Sequence, residues 1–540
     1  MFKKYSRRKI IKISAKLCVG MPATYLVGCS NTNEAKTFNN TQKILLNTDS
    51  ENNQTISNKS IALGSLRDGS SGYDVVDHIR QSLVYSRLIA IDPRTNYMYG
   101  DIIDELEVIS STEIKFRIKN DAYFHPNIDF LAKPVTSNDV AKSFLEYIES
   151  GDYFFTQVID SIDIHDEKVF TINLNAPFAF FFDNLANISS NIYSQESYPD
   201  SDLKLGSGLF KFTMQDATSS LLTANNLTHR NNHPHVEKIT IHQYSNDREF
   251  DAAFRSQNID IREHPDTNSY ESIPPNESVV QKIRPSQRMI GLGFSLLPIK
   301  KNQSTRYVEA FQDKRVRLAI SNALDRNVLA QLAGGISASP IGLAHKSDSL
   351  SIAELESFKI QHYDLIESKK LLDASGYQSL SFEMLLKENQ TLLSLANLIQ
   401  EQLSVVNITT NLVVQNENSW KESFKSGDFE TILFYSEPLK SPEMALRLHL
   451  SDSLGGSGSR WGFSDPIFDA SVKKIYSQMF LHDRSEKILN AQKILLQQIP
   501  AMLPLVTPFD HASLNKDING YEFDSYSFNF DWLAGHWSRM

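Results

Sequence analysis

Three features of the chain predict an α/β protein built from more than one domain. The first is its length of 540 residues, beyond what one hydrophobic core serves, so two or three domains are expected. The second is an alternation of strand (381–386), helix (392–403) and strand (408–414), the order that a parallel α/β layer requires. The third is a helix, corner and helix over residues 311–335. There Asp313 is placed to cap a helix with Val316, Ala319, Ile320, Ala323 and Leu324 on one face. Asp325 is placed to cap a second, with Val328, Leu329 and Leu332 inward, ended by Gly334 and Gly335. Lys314, Arg315 and Arg317 fall in the first turn, which the helix dipole disfavours. The predicted partners of Arg315 and Arg317 are acidic side chains of the same domain.

Composition bounds the partners. Hydrophobic residues make up 41% and charged residues 22%, and 31 Phe with 20 Tyr supply rings for packing and for lining a binding site. The formal charge is −10, yet the first 28 residues hold seven Lys or Arg and no acid, so the remainder carries −17. A surface that acidic argues against nucleic acid as a partner. Cys18 and Cys29 are the only cysteines, too few for a disulfide framework or a cysteine metal site.

In chain order, residues 1–28 read as a signal peptide. SRRKIIK (6–12) matches the twin-arginine export pattern, and LVGC (26–29) resembles the lipobox of bacterial lipoproteins, which makes Cys29 the predicted lipidation site. Residues 29–58, rich in Asn, Ser and Thr, read as a lipid-anchored flexible tether. Order is expected from a buried strand at 60–65, followed by a polar, glycine-containing loop at 67–72. Residues 79–88 have a helical pattern, Ile114, Phe116 and Ile118 alternate as a half-buried strand, and Thr136 or Ser137 caps the next helix. Residues 250–261 read as helix, turn and strand, with Asn258 suited to the left-handed turn position. Residues 363–377 form a short amphipathic helix closed by Gly376, 429–438 contain a strand whose end faces a ligand, and a last helix covers 485–498.

Catalytic constellations are missing from the sequence: no GxSxG elbow, no HExxH and no P-loop. The glycine-rich 206–208 leads into a strand rather than a helix, which weighs against phosphate binding. His229, His233 and His235 cluster, but Pro234 makes the segment a turn, so a solvated loop is expected rather than a metal site. Carboxylate pairs such as Asp101 and Asp104 read as solvated faces. No enzyme activity, cofactor or metal is predicted.

Several of these segments, taken in order, resemble the extracellular solute-binding proteins of family 5, the oligopeptide- and dipeptide-binding subunits of bacterial ABC importers. The matching stretches are FQDKRVRLAI running into ALDR (311–326), the strand and turn at 100–126, PVTSNDVAKSF (134–144), GSGLF (206–210), the helix–turn–strand at 250–261, YDLIESKKLLDASGY (363–377) and SRWGFSDPIFD (459–469). The resemblance implies a two-lobed periplasmic-binding-protein-like fold of type II, with an extra subdomain in the N-terminal lobe. It implies a first-lobe core from 59–75, 200–285 and 500–540, a subdomain from 76–199 and a second lobe from 286–499. It further implies a substrate-binding lipoprotein of the periplasm, anchored to a bacterial membrane, monomeric, that captures a peptide or peptide-like small molecule between its lobes for an ABC permease and ATPase. The alternative is a surface lipoprotein that uses the same fold as a sensor or chaperone-like interaction protein. Ligand contacts are expected from Leu66, Arg67, Ser295, Tyr435, Ser436, Glu437, Arg460 and Trp461. The Asp with which peptide-binding members hold the α-amino group falls here at Pro438, with Glu437 one residue away and pointing off by strand alternation.

Overall fold

One 14-residue strand, Met502–Asn515, is bonded to both halves of the protein. The computed structural model describes residues 4–6, 42–45, 57–66, 75–91, 98–126, 132–199, 201–216, 218–229, 234–264, 270–286, 288–296, 308–341, 348–436, 445–451, 461–523 and 534–540. Cys29, Arg67, His233, Glu437, Pro438 and Arg460 lie outside them. The larger sheet has 12 strands, ordered from Phe210–Gln215 through Ser219–Ala224, Val236–Tyr244, Ser57–Leu66 and Ile261–His264 to the shared strand. It continues through Ile290–Phe294, Thr431–Tyr435 and Leu380–Lys387 to Ile408–Gln415, while Val279–Pro285 and Gly335–Ser337 also pair with the shared strand.

Residues 509–515 of the shared strand pair with Ile261–His264 and Val279–Pro285, and residues 502–508 pair with Ile290–Phe294 and Gly335–Ser337. The chain passes between the halves a second time at 285–290, where the Ser286 N–H donates to Pro508 O at 2.9 Å. Each half has its own buried cluster, one built around Ile61, Leu222, Ile239 and Leu514, the other around Ile290, Phe311, Ile320, Ile399 and Leu503.

The subdomain has a third cluster spanning Leu88 to Ile192. Its six-stranded sheet is antiparallel where Glu113–Ile118 meets Ile103–Ser110 and Val169–Leu174. Ile114, Phe116 and Ile118 all point inward, as alternation predicts. Thr136 caps the helix Ser137–Glu149, with the Asp139 carboxylate accepting its N–H at 2.9 Å. Two short strands, Lys4–Ser6 and Gln42–Leu45, lie in stretches expected to be signal and tether and extend the edges of this sheet. Among the described residues no helix is long and apolar enough to cross a membrane.

The helix pair at 311–335 forms with both predicted caps. Asp313 accepts from the Arg315 N–H at 2.8 Å, Asp325 accepts from the Asn327 N–H at 3.0 Å, and Gly334 takes the left-handed φ of 61° that a side chain would disfavour. Val316, Ala319, Ile320, Ala323 and Leu324 are fully buried. Two expectations fail here. Val328 and Leu332 are exposed at 43% and 46%, because the second helix turns only Leu329 and Ala330 to the core. Arg317 is bound by carbonyl oxygens rather than acids: Ile499 O at 2.7 Å and Phe311 O at 2.7 Å. Arg315 pairs with its own cap, Asp313, and reaches Ala374 O at 2.9 Å. Burial pulls the Arg317 guanidinium down to about 10, which leaves it charged at neutral pH.

Further corrections concern turns and polar groups. Gln257, not Asn258, adopts the left-handed φ of 60° after the helix Asp247–Arg255. His229 and His235 are buried rather than solvated, since Pro234 begins a segment that joins the sheet at Val236. Asp101 is buried too: it accepts the Arg87 N–H at 2.8 Å and meets His229 Nε2 at 3.0 Å. A charge placed there is tolerated because it is paired and hydrogen-bonded.

Three buried histidines fix a pH dependence. Burial pushes His125 and His449 down to about 3, and burial with Arg262 nearby pushes His264 to about 4, from an ordinary value near 6.5. All three are neutral when folded. Below pH 6.5 the unfolded chain binds protons that the folded chain does not, so stability falls as pH drops from 6.5 towards 4. Each residue contributes a slope of up to about 1.4 kcal/mol per pH unit. Urea unfolding at pH 7 and pH 5 is expected to show this loss, and His449→Leu, which removes a buried ring whose Nε2 has no hydrogen-bond partner among the described residues, is expected to make it shallower.

Candidate functional site

Strand direction locates the site before any side chain is considered. In the first lobe Ser57–Leu66, Val236–Tyr244 and Ile261–His264 run parallel, with Leu66 level with Tyr244 and Ile261 level with Leu63. Their carboxyl ends therefore finish together at Leu66, Tyr244 and His264. His264 lies opposite His511, three residues from Pro508 at the passage between the halves. In the second lobe Leu380–Lys387, Ile408–Gln415 and Thr431–Tyr435 are also parallel, and Tyr435 lies opposite Ile290, itself opposite Val506. Both sets of carboxyl ends thus point to the same stretch of the shared strand, about 506–511. In open α/β sheets ligands bind at such ends.

The predicted site residues separate along one short strand. Tyr435 and Ser436 sit at the passage: the Ser436 N–H donates to Met289 O at 2.7 Å, and the Met289 N–H donates to Ser436 Oγ at 2.8 Å. This reciprocal pair ties the end of Thr431–Tyr435 to the segment that leaves for the first lobe. Ser295 and Trp461 lie at the other end of Ile290–Phe294, roughly 13 Å away at 3.3 Å per residue. The Ser295 N–H donates to Glu430 O at 2.9 Å, and its buried Oγ has no hydrogen-bond partner among the described residues. Trp461 is fully buried, its ring against Phe424, Phe429 and Phe434 at centroid distances of 5.6–5.9 Å, and its carbonyl takes the Leu296 N–H at 2.6 Å. It fills the space above Gly293, where an added Cβ would stand 2.0 Å from Cζ3. Leu66 is placed by its backbone at the carboxyl end of its strand.

Sequence reasoning missed a group on the first-lobe side. His264, Tyr270 and His511 form a ledge beside the passage, with Tyr270 and His511 at a ring distance of 4.5 Å and His264 Nε2 2.9 Å from Ser513 Oγ. Tyr244 stacks on Phe250 at 5.2 Å. Burial raises the Tyr244 and Tyr270 hydroxyls and lowers His264, so these three are uncharged at neutral pH. The available signal was positional: His264 and Tyr244 are the last residues of parallel strands, which a pass for motifs does not weigh. The ledge can stack and hydrogen-bond. Among the described residues no group of three or more His, Cys, Asp or Glu is placed to hold a metal ion.

Gly293→Ala is expected to displace the Trp461 indole, with a loss of roughly 1–3 kcal/mol from overpacking. The near-ultraviolet circular dichroism of tryptophan and the urea midpoint report it; an unchanged spectrum at unchanged stability would show that the contact yields freely.

The fold and strand ends have counterparts among known proteins. The family model described as bacterial extracellular solute-binding proteins, family 5 Middle, matches residues 105–452. A Brucella ovis protein provisionally named an ABC transporter peptide-binding protein is 23% identical over 312 residues, 55% of each chain, so this chain spans about half the length of the curated relatives of that group. The periplasmic murein peptide-binding protein MppA of Escherichia coli is 22% identical over 362 residues, 63% of this chain and 64% of that one. The structure of HbpA2 from Haemophilus parasuis superposes with a TM-score of 0.75 at 17% identity, covering 89% of this chain and 100% of that chain. MppA in its unliganded open form gives 0.72 at 16% identity, with 92% and 98% covered. At these identities the superpositions establish the fold, the two-lobed type II architecture of periplasmic binding proteins. With the family model covering well over half of the sequence, the chain belongs to the bacterial extracellular solute-binding proteins of family 5.

Proposed function

We propose that this chain is the substrate-binding subunit of an ABC importer. It captures a peptide or peptide-like small molecule in a cleft between the lobes and presents the closed form to a membrane permease. The observation that supports this most is the convergence of two sets of parallel-strand carboxyl ends on one stretch of the shared strand, 506–511. A ligand there would touch both lobes at once, and contact with both is what gives closure its free energy. The family provides the class of function, and the names of the Brucella and Escherichia coli relatives favour peptides.

In this reading Tyr435, Ser436 and the segments that carry Glu437 and Arg460 meet the ligand from one side. Leu66, the segment that carries Arg67, and the ledge beside Tyr244, with His264 and Tyr270, meet it from the other. Ser295 and Trp461 act one layer back, Trp461 by fixing Gly293 and hence the strand that leads to Met289. The lobe division at 59–75, 200–285 and 500–540, 76–199, and 286–499 belongs to the same proposal. So does attachment to the membrane by diacylglycerol on Cys29 after twin-arginine export.

The test of ligand capture is a thermal melt with mixtures of di- to pentapeptides. A peptide at a hundred times its dissociation constant adds about 2.7 kcal/mol to the folded state. Stabilisation by another compound class and not by peptides would overturn the peptide assignment, and no stabilisation by any class would overturn capture itself. For the anchor, Cys29→Ala is expected to abolish partition into the detergent phase after export; partition that persists would exclude lipidation at Cys29.

A further inference from the structure

The subdomain and the second lobe touch through a buried ion pair flanked by aromatic rings. Phe181, Phe182 and Leu185 belong to the subdomain core, so the short helix Phe181–Leu185 moves with that core. Ile488, Ala491 and Leu495 belong to the second-lobe core, so the helix Leu481–Gln498 moves with the other body. Between the two, Arg484 donates to Asp183 Oδ1 at 2.6 Å and to Ala179 O at 2.9 Å, with its guanidinium carbon 5.2 Å from the centre of the Phe180 ring. The Arg484 side chain is 0% exposed and that of Asp183 15%. Two ring pairs flank the ion pair: Phe182 stacked on Phe480 at 5.0 Å and Phe180 edge-on to Tyr476 at 5.1 Å.

This contact closes a ring of three bodies. The second lobe is joined to the first-lobe core covalently, through 285–290 and the shared strand. The subdomain is joined to the first-lobe core by His125, whose N–H donates to Gly206 O at 2.7 Å and whose Nε2 lies 2.9 Å from Gly208 O, and by the buried pair of Asp101 with His229 at 3.0 Å. With those two junctions in place, the second lobe cannot rotate against the first unless the third junction slips. We propose that the Arg484–Asp183 pair, with its flanking rings, is a clasp that sets the angle between the lobes and has to part for them to move.

The chemistry suits a reversible lock. A buried Arg–carboxylate pair gains little net free energy over its hydrated components, because the attraction is offset by desolvation. It is nevertheless specific in geometry, through two donors of one planar group and a ring face. Made, it holds one angle; parted, both charges regain water. The inference rests on the hinged two-lobe reading and deepens it by naming the contact that governs the hinge.

The experiment measures lobe separation without any ligand. In the full chain carrying Cys18→Ser and Cys29→Ser, spin labels are attached at Tyr153→Cys in the subdomain and Tyr363→Cys in the second lobe, both half-exposed at 52% and 51%. Arg484→Met and Asp183→Asn are each expected to broaden the distance distribution and move its mean by more than about 2 Å, a displacement typical of freed domains. Far-ultraviolet circular dichroism confirms the fold, and if Arg484→Met does not fold, Phe480→Leu gives the same readout from the flanking ring pair. Distributions that superimpose on that of the unsubstituted clasp would overturn the proposal. They would leave ligand capture untouched, since capture is judged by melting with peptides.

Discussion

The strand Met502–Asn515 holds the architecture together, because both lobes complete their sheets on it. A shared strand carries force between the lobes, yet it also needs a place to bend. Its sequence provides one: Pro504 and Pro508 remove two backbone donors from the part that pairs with the second lobe, up to the passage between the halves. Their carbonyls still accept hydrogen bonds. Pro508 O takes the Ser286 N–H at 2.9 Å, and Pro504 O takes Arg326 Nε at 3.3 Å. The strand is thus densely bonded at 509–515, where it belongs to the first lobe, and thinned where the second lobe takes over.

The helix pair Lys314–Asn322 and Arg326–Ala333 is fastened to the beginning of that strand by cations rather than by apolar packing alone. Arg317 reaches Ile499 O, where the helix Leu481–Gln498 ends on a residue with φ of 55°, and Arg326 reaches Pro504 O. Arg317 satisfies a carbonyl at a helix end, where the last carbonyls have no intrahelical partner. Burial lowers both guanidinium groups to about 10, so they remain charged under physiological conditions and keep all their donors. The cations that looked misplaced in the first turn are partly accounted for: they serve the neighbouring strand, while Arg315 offsets its own cap.

Most local signals in the sequence were legible where one residue decides an outcome by itself, the left-handed turn at Gln257 rather than Asn258 being an exception. Asp313 and Asp325 cap helices through their own side chains, and Gly334 and Gly376 end them with left-handed dihedrals. The parallel pairing of Leu380–Lys387 with Ile408–Gln415 follows from the helix between them. What could not be read is set by residues distant in sequence. Asp101 and His229 are 128 positions apart and become a buried pair only when the subdomain meets the first-lobe core. Arg317 finds Ile499 across 182 positions. The separation of Tyr435 and Ser436 from Ser295 and Trp461 follows from antiparallel pairing of Ile290–Phe294 with Thr431–Tyr435, which a list of candidate residues does not contain.

That separation bears on how selectivity arises. The described first-lobe ledge offers hydroxyl groups, aromatic faces and a neutral His264, with no buried carboxylate or cation assigned to the ligand. In the proposed reading such a wall discriminates by shape, stacking and hydrogen bonding, and a ligand's charged groups have to be met by other residues. Because His264 stays neutral down to about pH 4, its ring keeps the same hydrogen-bonding character across the pH range in which an exposed histidine would have become a cation. Burial, more than the nearby Arg262 cation, is what fixes that charge.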